Sequence, residues 1–200
     1  AAIRSDGTVW TWGYDAYGQL GNGTNSDSNI PVPVSGMNGI TAIAAGGNHT
    51  AAVESDGTVW TWGYNYFGQL GNGTNHDSNT PVPVSAMSDV ISVAAGARHT
   101  VALKSDGTVW DWGYGGSGQL GNGTNMSSPL PVYVSGMSDI VAVAAGGNHT
   151  LALKSDGTVW AWGENFYGEL GNGTNSDSNV PVQVSWLSGV VAVSAGNGHS

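Results

Sequence analysis

An all-β fold assembled from four in-register copies of one short-stranded unit is what the sequence predicts, and three observations predict it. The chain repeats every 50 residues without a gap: Ser5-Asp6-Gly7-Thr8-Val9-Trp10 returns at 55, 105 and 155, Gly21-Asn22-Gly23-Thr24-Asn25 at 71, 121 and 171, and Ala45-Gly46 with His49 at 95, 145 and 195. Self-similarity at such a period is the mark of a repeat architecture, and it takes precedence over length as a guide to domains. Side chains alternate over short runs instead of recurring at helical spacing, and Gly and Pro interrupt every longer stretch.

Each unit reads as four strands. Ala1–Arg4 and Thr8–Gly13 flank Asp6-Gly7, a pair that predicts a two-residue hairpin turn. Within Val9-Trp10-Thr11-Trp12 the alternation puts both indoles on one face and Val9 and Thr11 on the other. Trp12, Trp62, Trp112 and Trp162, each followed by Gly, are therefore expected in the core. Pro31-Val32-Pro33-Val34 reads as an edge strand, because proline cannot donate to a ladder. Ile40–Ala45 ends in Ala44, Ala45 and Gly46, small enough for a crowded inner strand.

Taken together, Asp6-Gly7-Thr8-Val9-Trp10-Thr11-Trp12-Gly13, Gly18-Gln19-Leu20-Gly21, Pro31 with Val34, Ala44-Ala45-Gly46 and His49-Thr50 resemble the complete repeat of the chromosome-condensation-regulator family. The resemblance covers the whole chain. It implies a β-propeller of four-stranded blades around a central channel, commonly seven to a ring. Residues 1–200 then form one propeller or part-propeller of four repeats, 1–50, 51–100, 101–150 and 151–200, circularly permuted relative to the blades. A half-ring, a segment of a longer polymer and a four-bladed ring closed by its own ends all fit this phase. The segment ending at His199-Ser200 is expected to pair with a stretch equivalent to Ala1–Arg4, supplied by another chain or by further repeats. Family members include a guanine-nucleotide exchange factor, a protein inhibitor of β-lactamases and bacterial surface proteins, so the fold does not fix the function.

Composition narrows the partners. Only 9% of residues are charged and the formal net charge is -10, which repels phosphate backbones and argues against nucleic acid. No apolar run approaches the ~18 residues of a membrane span, so no membrane partner is expected. The absence of cysteine fits a cytoplasmic and a disulfide-free surface protein equally, whereas a surface rich in Asn, Ser, Thr and Gly with few charges points to an extracellular or cell-surface protein, with a cytoplasmic location left open.

Chemistry finds no distinctive constellation. Ser5 and Asp6 recur in every unit as turn residues, and none has its own base, so no catalytic residue, cofactor or metal is assigned and the chain is read as a non-enzymatic scaffold. His49, His99, His149 and His199 recur once per unit. A buried imidazole bonded to neighbouring backbone explains them better than an axial metal site. Asn25, Asp27 and Asn29 with their copies read as turn residues, not as calcium ligands, since no bidentate Glu follows. The informative variation follows each Trp-Gly. Tyr14 and Tyr17, then Tyr64, Tyr66 and Phe67, then Tyr114, then Phe166 and Tyr167 place differing aromatics on identical frames, on one common side of the assembly. They are candidates for a protein or glycan contact, or for packing between blades. Self-association or further repeats are the other expected partners.

Overall fold

The computed structural model describes all of residues 1–200 and contains fifteen strands and no helix. In chain order they are β1 (Ala2–Ile3), β2 (Val9–Gly13), β3 (Ser28–Pro33), β4 (Ile40–Ala45), β5 (His49–Glu54), β6 (Val59–Gly63), β7 (Ser78–Pro83), β8 (Val90–Ala95), β9 (His99–Lys104), β10 (Val109–Gly113), β11 (Ser128–Tyr133), β12 (Ile140–Ala145), β13 (His149–Lys154), β14 (Val159–Gly163) and β15 (Ser178–Gln183). Three four-stranded antiparallel sheets run β4-β5-β6-β7, β8-β9-β10-β11 and β12-β13-β14-β15, and a three-stranded sheet runs β1-β2-β3. Each complete sheet therefore takes its inner strand from the end of one sequence repeat and its other three from the next. The Pro-bearing strands β3, β7, β11 and β15 lie at sheet edges, where a missing N–H costs no ladder bond.

The Asp-Gly turn is longer than expected. Gly7 N donates to Arg4 O and Arg4 N to Thr8 O, both at 2.9 Å, so Ser5, Asp6 and Gly7 form a three-residue loop. Gly7 sits at φ +78°, the left-handed residue that completes such a loop as a bulge. Asp6 Oδ1 accepts from the amide and hydroxyl of Thr8, at 3.0 and 2.6 Å. Those two bonds stabilise the carboxylate and lower its pKa.

The core lies between blades. Trp62, Trp112 and Trp162 are fully buried, each in a separate apolar cluster that joins two neighbouring sheets. Trp62 packs with Val9, Val34, Met37, Ile40 and Ala52. The same positions fifty and one hundred residues later, Val59, Val84, Met87, Val90 and Ala102 with Trp112, and Val109, Val134, Met137, Ile140 and Ala152 with Trp162, build the next two joints. Trp62 Nε1 donates to Gln19 O and Trp112 Nε1 to Gln69 O, both at 2.9 Å, across the joint. Trp12 departs from the expectation: it is 47% exposed. Its side of the first sheet faces no preceding blade, which shows that the indole is buried by a neighbour and not by its own sheet.

Replacing Trp112 by Ala removes the largest side chain of the middle joint. Urea denaturation should register a loss of roughly 3–5 kcal/mol. A loss below about 1 kcal/mol would mean that the joint is not the core.

Candidate functional site

Strand directions put the loop after each Trp-Gly and the loop before each His at the same end of the molecule, since Tyr64 N and Glu164 N donate to Asn48 O and Asn148 O at 2.8 Å. The tips are held from within. Asn65 Oδ1 accepts from Leu70 N at 2.9 Å, its Nδ2 donates to Thr74 O and His76 O at 3.1 and 3.0 Å, and its own N–H donates to Asp77 Oδ1 at 2.7 Å. Asn165 repeats the pattern with Leu170, Thr174, Ser176 and Asp177. Asp27, Asp77 and Asp177 thus receive tip amides, and Asn75 and Asn175 donate to Tyr66 O and Phe166 O, which is the turn-building role expected of them. In the third repeat Ser127 Oγ accepts from Gly115 N instead.

On these frames the aromatic tips form a ladder across three blades. Ring centroids lie 6.2 Å apart for Tyr14–Tyr17, 4.8 Å for Tyr17–Tyr64, 6.4 Å for Tyr64–Phe67 and 4.9 Å for Phe67–Tyr114. Tyr66 stacks on Tyr64 and meets Phe67 edge-on. Arg98 places its guanidinium 5.4 Å from the Phe67 ring and 5.9 Å from that of Tyr114. Tyr17, Tyr64, Phe67 and Tyr114 are half-buried between blades, whereas Tyr14 and Tyr66 are exposed. The tips therefore both pack and present. The ladder stops at Gly115-Gly116-Ser117, and Phe166 and Tyr167 form a separate exposed pair at 4.8 Å.

Beneath this face runs a buried polar row. His49 Nε2 lies 2.9 Å from Thr100 Oγ1, His99 Nε2 3.0 Å from Thr150 Oγ1, and His149 Nε2 3.1 Å from Ser200 Oγ. The partner is a neighbouring repeat's hydroxyl, not its backbone as the sequence suggested. That hydroxyl donates onward to a carbonyl: Thr100 to Gln69 O and Ser200 to Glu169 O. Burial lowers the His49 pKa to about 4 and that of His99 to about 3, so both imidazoles are neutral at physiological pH. No group of three or more His, Cys, Asp or Glu side chains is placed to hold a metal ion.

Two of the carboxyl groups that break the repeat are buried acids with a raised pKa. Asp111 replaces the Thr61 whose hydroxyl donates to Leu70 O at 2.6 Å. It is fully buried, its Oδ1 has no partner, and its Oδ2 meets only Thr150 Oγ1, at 3.4 Å. The Trp162 N–H lies beside it without alignment for a hydrogen bond. Burial pushes its pKa well above the ordinary carboxylate value. Asp15 stands where Asn65 and Asn165 stand; Oδ1 still accepts from Leu20 N at 2.8 Å, but Oδ2 lacks the amide protons, and burial raises its pKa.

The chain matches the family model for the RCC1-like domain over residues 1–200. It belongs to the RCC1-like family. Among solved structures, human WBSCR16 superposes with a TM-score of 0.88 at 28% identity, covering 98% of this chain and 52% of that one. Prp20p of Saccharomyces cerevisiae, studied for its binding to Gsp1p and histones, superposes at 0.85 with 25% identity, covering 98% and 51%. Human E3 ubiquitin-protein ligase HERC2 is 44% identical over 43 residues, 22% of this chain and 1% of its own length. The Caenorhabditis elegans X-linked retinitis pigmentosa GTPase regulator homolog is 46% identical over 54 residues, 25% and 4%. The chain thus spans about half of those solved propellers and a small part of the curated relatives.

Two pH effects follow. A histidine whose pKa is lower folded than unfolded stabilises fully above ~6.5 and loses that contribution as pH falls towards the folded value. Urea midpoints should therefore drop between pH 7 and pH 4.5. Asp111 acts oppositely: its raised pKa means that the folded state holds a proton which the unfolded state releases, so its cost grows as pH rises above about 4. Asp111→Thr should stabilise by ~1–3 kcal/mol at pH 8, with a smaller gain at pH 4. A gain independent of pH would contradict the buried-acid assignment.

Proposed function

We propose that the chain is a non-enzymatic scaffold, a segment of an RCC1-like propeller whose open edges are taken by further repeats of the same kind. One observation carries this reading. Val190–Ala195, equivalent to the inner strands β4, β8 and β12, belongs to no sheet and is tied to the chain's backbone only through Val190 N, which donates to Gly157 O at 3.1 Å, and the first sheet lacks an inner strand. Both surfaces are those that a next blade and a preceding blade cover at the three internal joints. Unpaired strand edges of this kind are templates for strand addition. The charge-poor surface of Asn, Gly, Ser and Thr supports placing the scaffold outside the cell or at its surface.

A second reading rests on the ladder from Tyr14 to Tyr114. Aromatic faces flanked by one cation, Arg98, suit a protein or glycan contact, and by analogy with its relatives the scaffold would present that face to a partner. Tyr66→Ser with Arg98→Ser should leave the melting temperature near its original value while weakening any glycan or protein ligand found by screening. A ligand bound undiminished by that variant would exclude the ladder.

To test the scaffold reading, residues 1–150 can be appended in phase after Ser200, giving seven repeats. In that chain the amides of Val190–Ala195 should exchange as slowly as those of Ile140–Ala145. Exchange at the rate of an unstructured loop would refute it.

A further inference from the structure

Asn-Gly pairs stand in two settings at the internal joints of this chain, and the settings differ in what the glycine nitrogen is free to do. Asn22-Gly23, Asn72-Gly73 and Asn122-Gly123 occupy equivalent turns, one per unit. There Gly23 N donates to Asn79 O and Gly73 N to Pro129 O, both at 2.9 Å, and Gly123 N to Asn179 O at 2.8 Å, so each amide is tied to the following blade. The carboxamide is fixed as well. Asn22 Oδ1 accepts from the amide and hydroxyl of Thr24 at 3.0 and 2.8 Å, and Asn72 and Asn122 repeat the arrangement with Thr74 and Thr124.

Asn38-Gly39 lies in the link from β3 to β4, where both residues are exposed and neither the Asn38 side chain nor the Gly39 N–H makes a hydrogen bond within the chain. This exposure does not come from standing in the first repeat. Ser88-Asp89 and Ser138-Asp139 hold the same places in the next two links and are equally exposed, and Gly39, Asp89 and Asp139 share a left-handed backbone at φ +64°, +60° and +61°. On either side of the pair the chain is pinned. Met37 and Ile40 are buried in the cluster around Trp62, Gly39 O accepts from Ser55 N at 2.9 Å, and Ile40 N donates to Gly7 O at 3.1 Å.

A glycine after asparagine leaves its nitrogen open to approach, since it carries no side chain. The Gly39 nitrogen, having given its proton to hydroxide, attacks Asn38 Cγ; the Cγ–Nδ2 bond breaks and the nitrogen leaves as ammonia. Water then opens the cyclic imide at one of its two carbonyls, giving aspartate, or isoaspartate with the main chain rerouted through the side-chain carbon. No oxidant or reductant enters. In the three tied turns the bonds to Oδ1 polarise Cγ in favour of the same attack, but the attacking nitrogen has its proton on a carbonyl of the next blade. It is released only when that joint opens.

We infer that Asn38-Gly39 is a site of spontaneous covalent modification, where asparagine converts to aspartate and isoaspartate, while the blade joints protect the same dipeptide at 22, 72 and 122. Isoaspartate lengthens the main chain between Met37 and Ile40, both anchored beside Trp62. The modification therefore loosens that joint.

The test ages the native 200-residue chain at mildly alkaline pH and follows each asparagine by peptide mapping in a mass spectrometer. Asn38 should convert at least ~10-fold faster than Asn22, Asn72 or Asn122, because the tied amides react only from opened states. In urea the rates should converge, since the dipeptide is the same. Equal rates in the native chain, faster conversion at the tied turns, or a native difference that persists in urea would each overturn the inference. Asn38→Ser, which copies Ser88 and Ser138, should remove the earliest acidic species on anion exchange; its survival in that variant would also sink the assignment. The isoaspartate-containing fraction of the aged chain should unfold at a lower urea concentration than fresh chain, and an unchanged midpoint would refute the loosened joint.

Discussion

An indole laid against a glycine between two blades, with its N–H on a carbonyl of the preceding blade at Trp62 and Trp112, is the contact on which the rest of this structure depends. A single blade is a four-stranded sheet with two apolar faces and no layer of its own to cover them. Stability therefore comes from the joint. There Trp62, Trp112 or Trp162 fills the space between two sheets, and the glycine at 21, 71 or 121 leaves the room that a Cβ would occupy. The left-handed backbone at those glycines, φ +67°, +64° and +61°, serves the same end, because it turns the Gly-Gln-Leu-Gly loop so that the carbonyl of residue 19, 69 or 119 faces the joint.

The joint also explains the polar row. Gln69 O receives both the Trp112 indole and the Thr100 hydroxyl, and the hydroxyl in turn meets His49. One carbonyl thus ties the apolar cluster to the imidazole beneath the aromatic face. The histidines read in this way are struts held neutral by burial, with their exchangeable protons committed inside the scaffold. Asp111 is the acid in the same row, and its Oδ1 is unpartnered, as is Nδ1 of His49 and of His99. Nothing in the structure explains why Asp stands there in place of Thr.

Much of this was legible in the sequence because a repeat compares itself with itself. The strands at 9–13 and 40–45, the edge position of Pro31 and Pro33, and the common side of the aromatic tips all follow from period, alternation and proline chemistry. Trp12 was not legible as an exception. Its local sequence is that of Trp62, and only the absence of a preceding blade distinguishes them, a property of neighbours that no strand pattern carries. The three-residue Ser5-Asp6-Gly7 loop was misread because Asp-Gly fits two hairpin geometries, and the choice depends on whether Ser5 pairs. The partner of each histidine was a hydroxyl 51 residues away, a distance at which spacing alone says nothing. The aromatic tips could be named from the sequence but not their ladder, since the Tyr17–Tyr64 and Phe67–Tyr114 contacts exist only once blades are set side by side.

The glycines at 21, 71 and 121 admit the indole, beyond any demand of their turn. Gly71 and Gly123 separate the two, because both have a positive φ, +64° and +83°, yet a Cβ would lie 2.7 Å from Trp112 Nε1 at the first and meet nothing within 4 Å at the second. Either substitution by Ala carries the backbone penalty of ~1–2 kcal/mol. Urea unfolding of Gly71→Ala and Gly123→Ala at one pH is the direct comparison. Gly71→Ala is expected to cost at least about 2 kcal/mol more, as overpacking of a filled core does; equal losses for the two variants would contradict that role for the glycine.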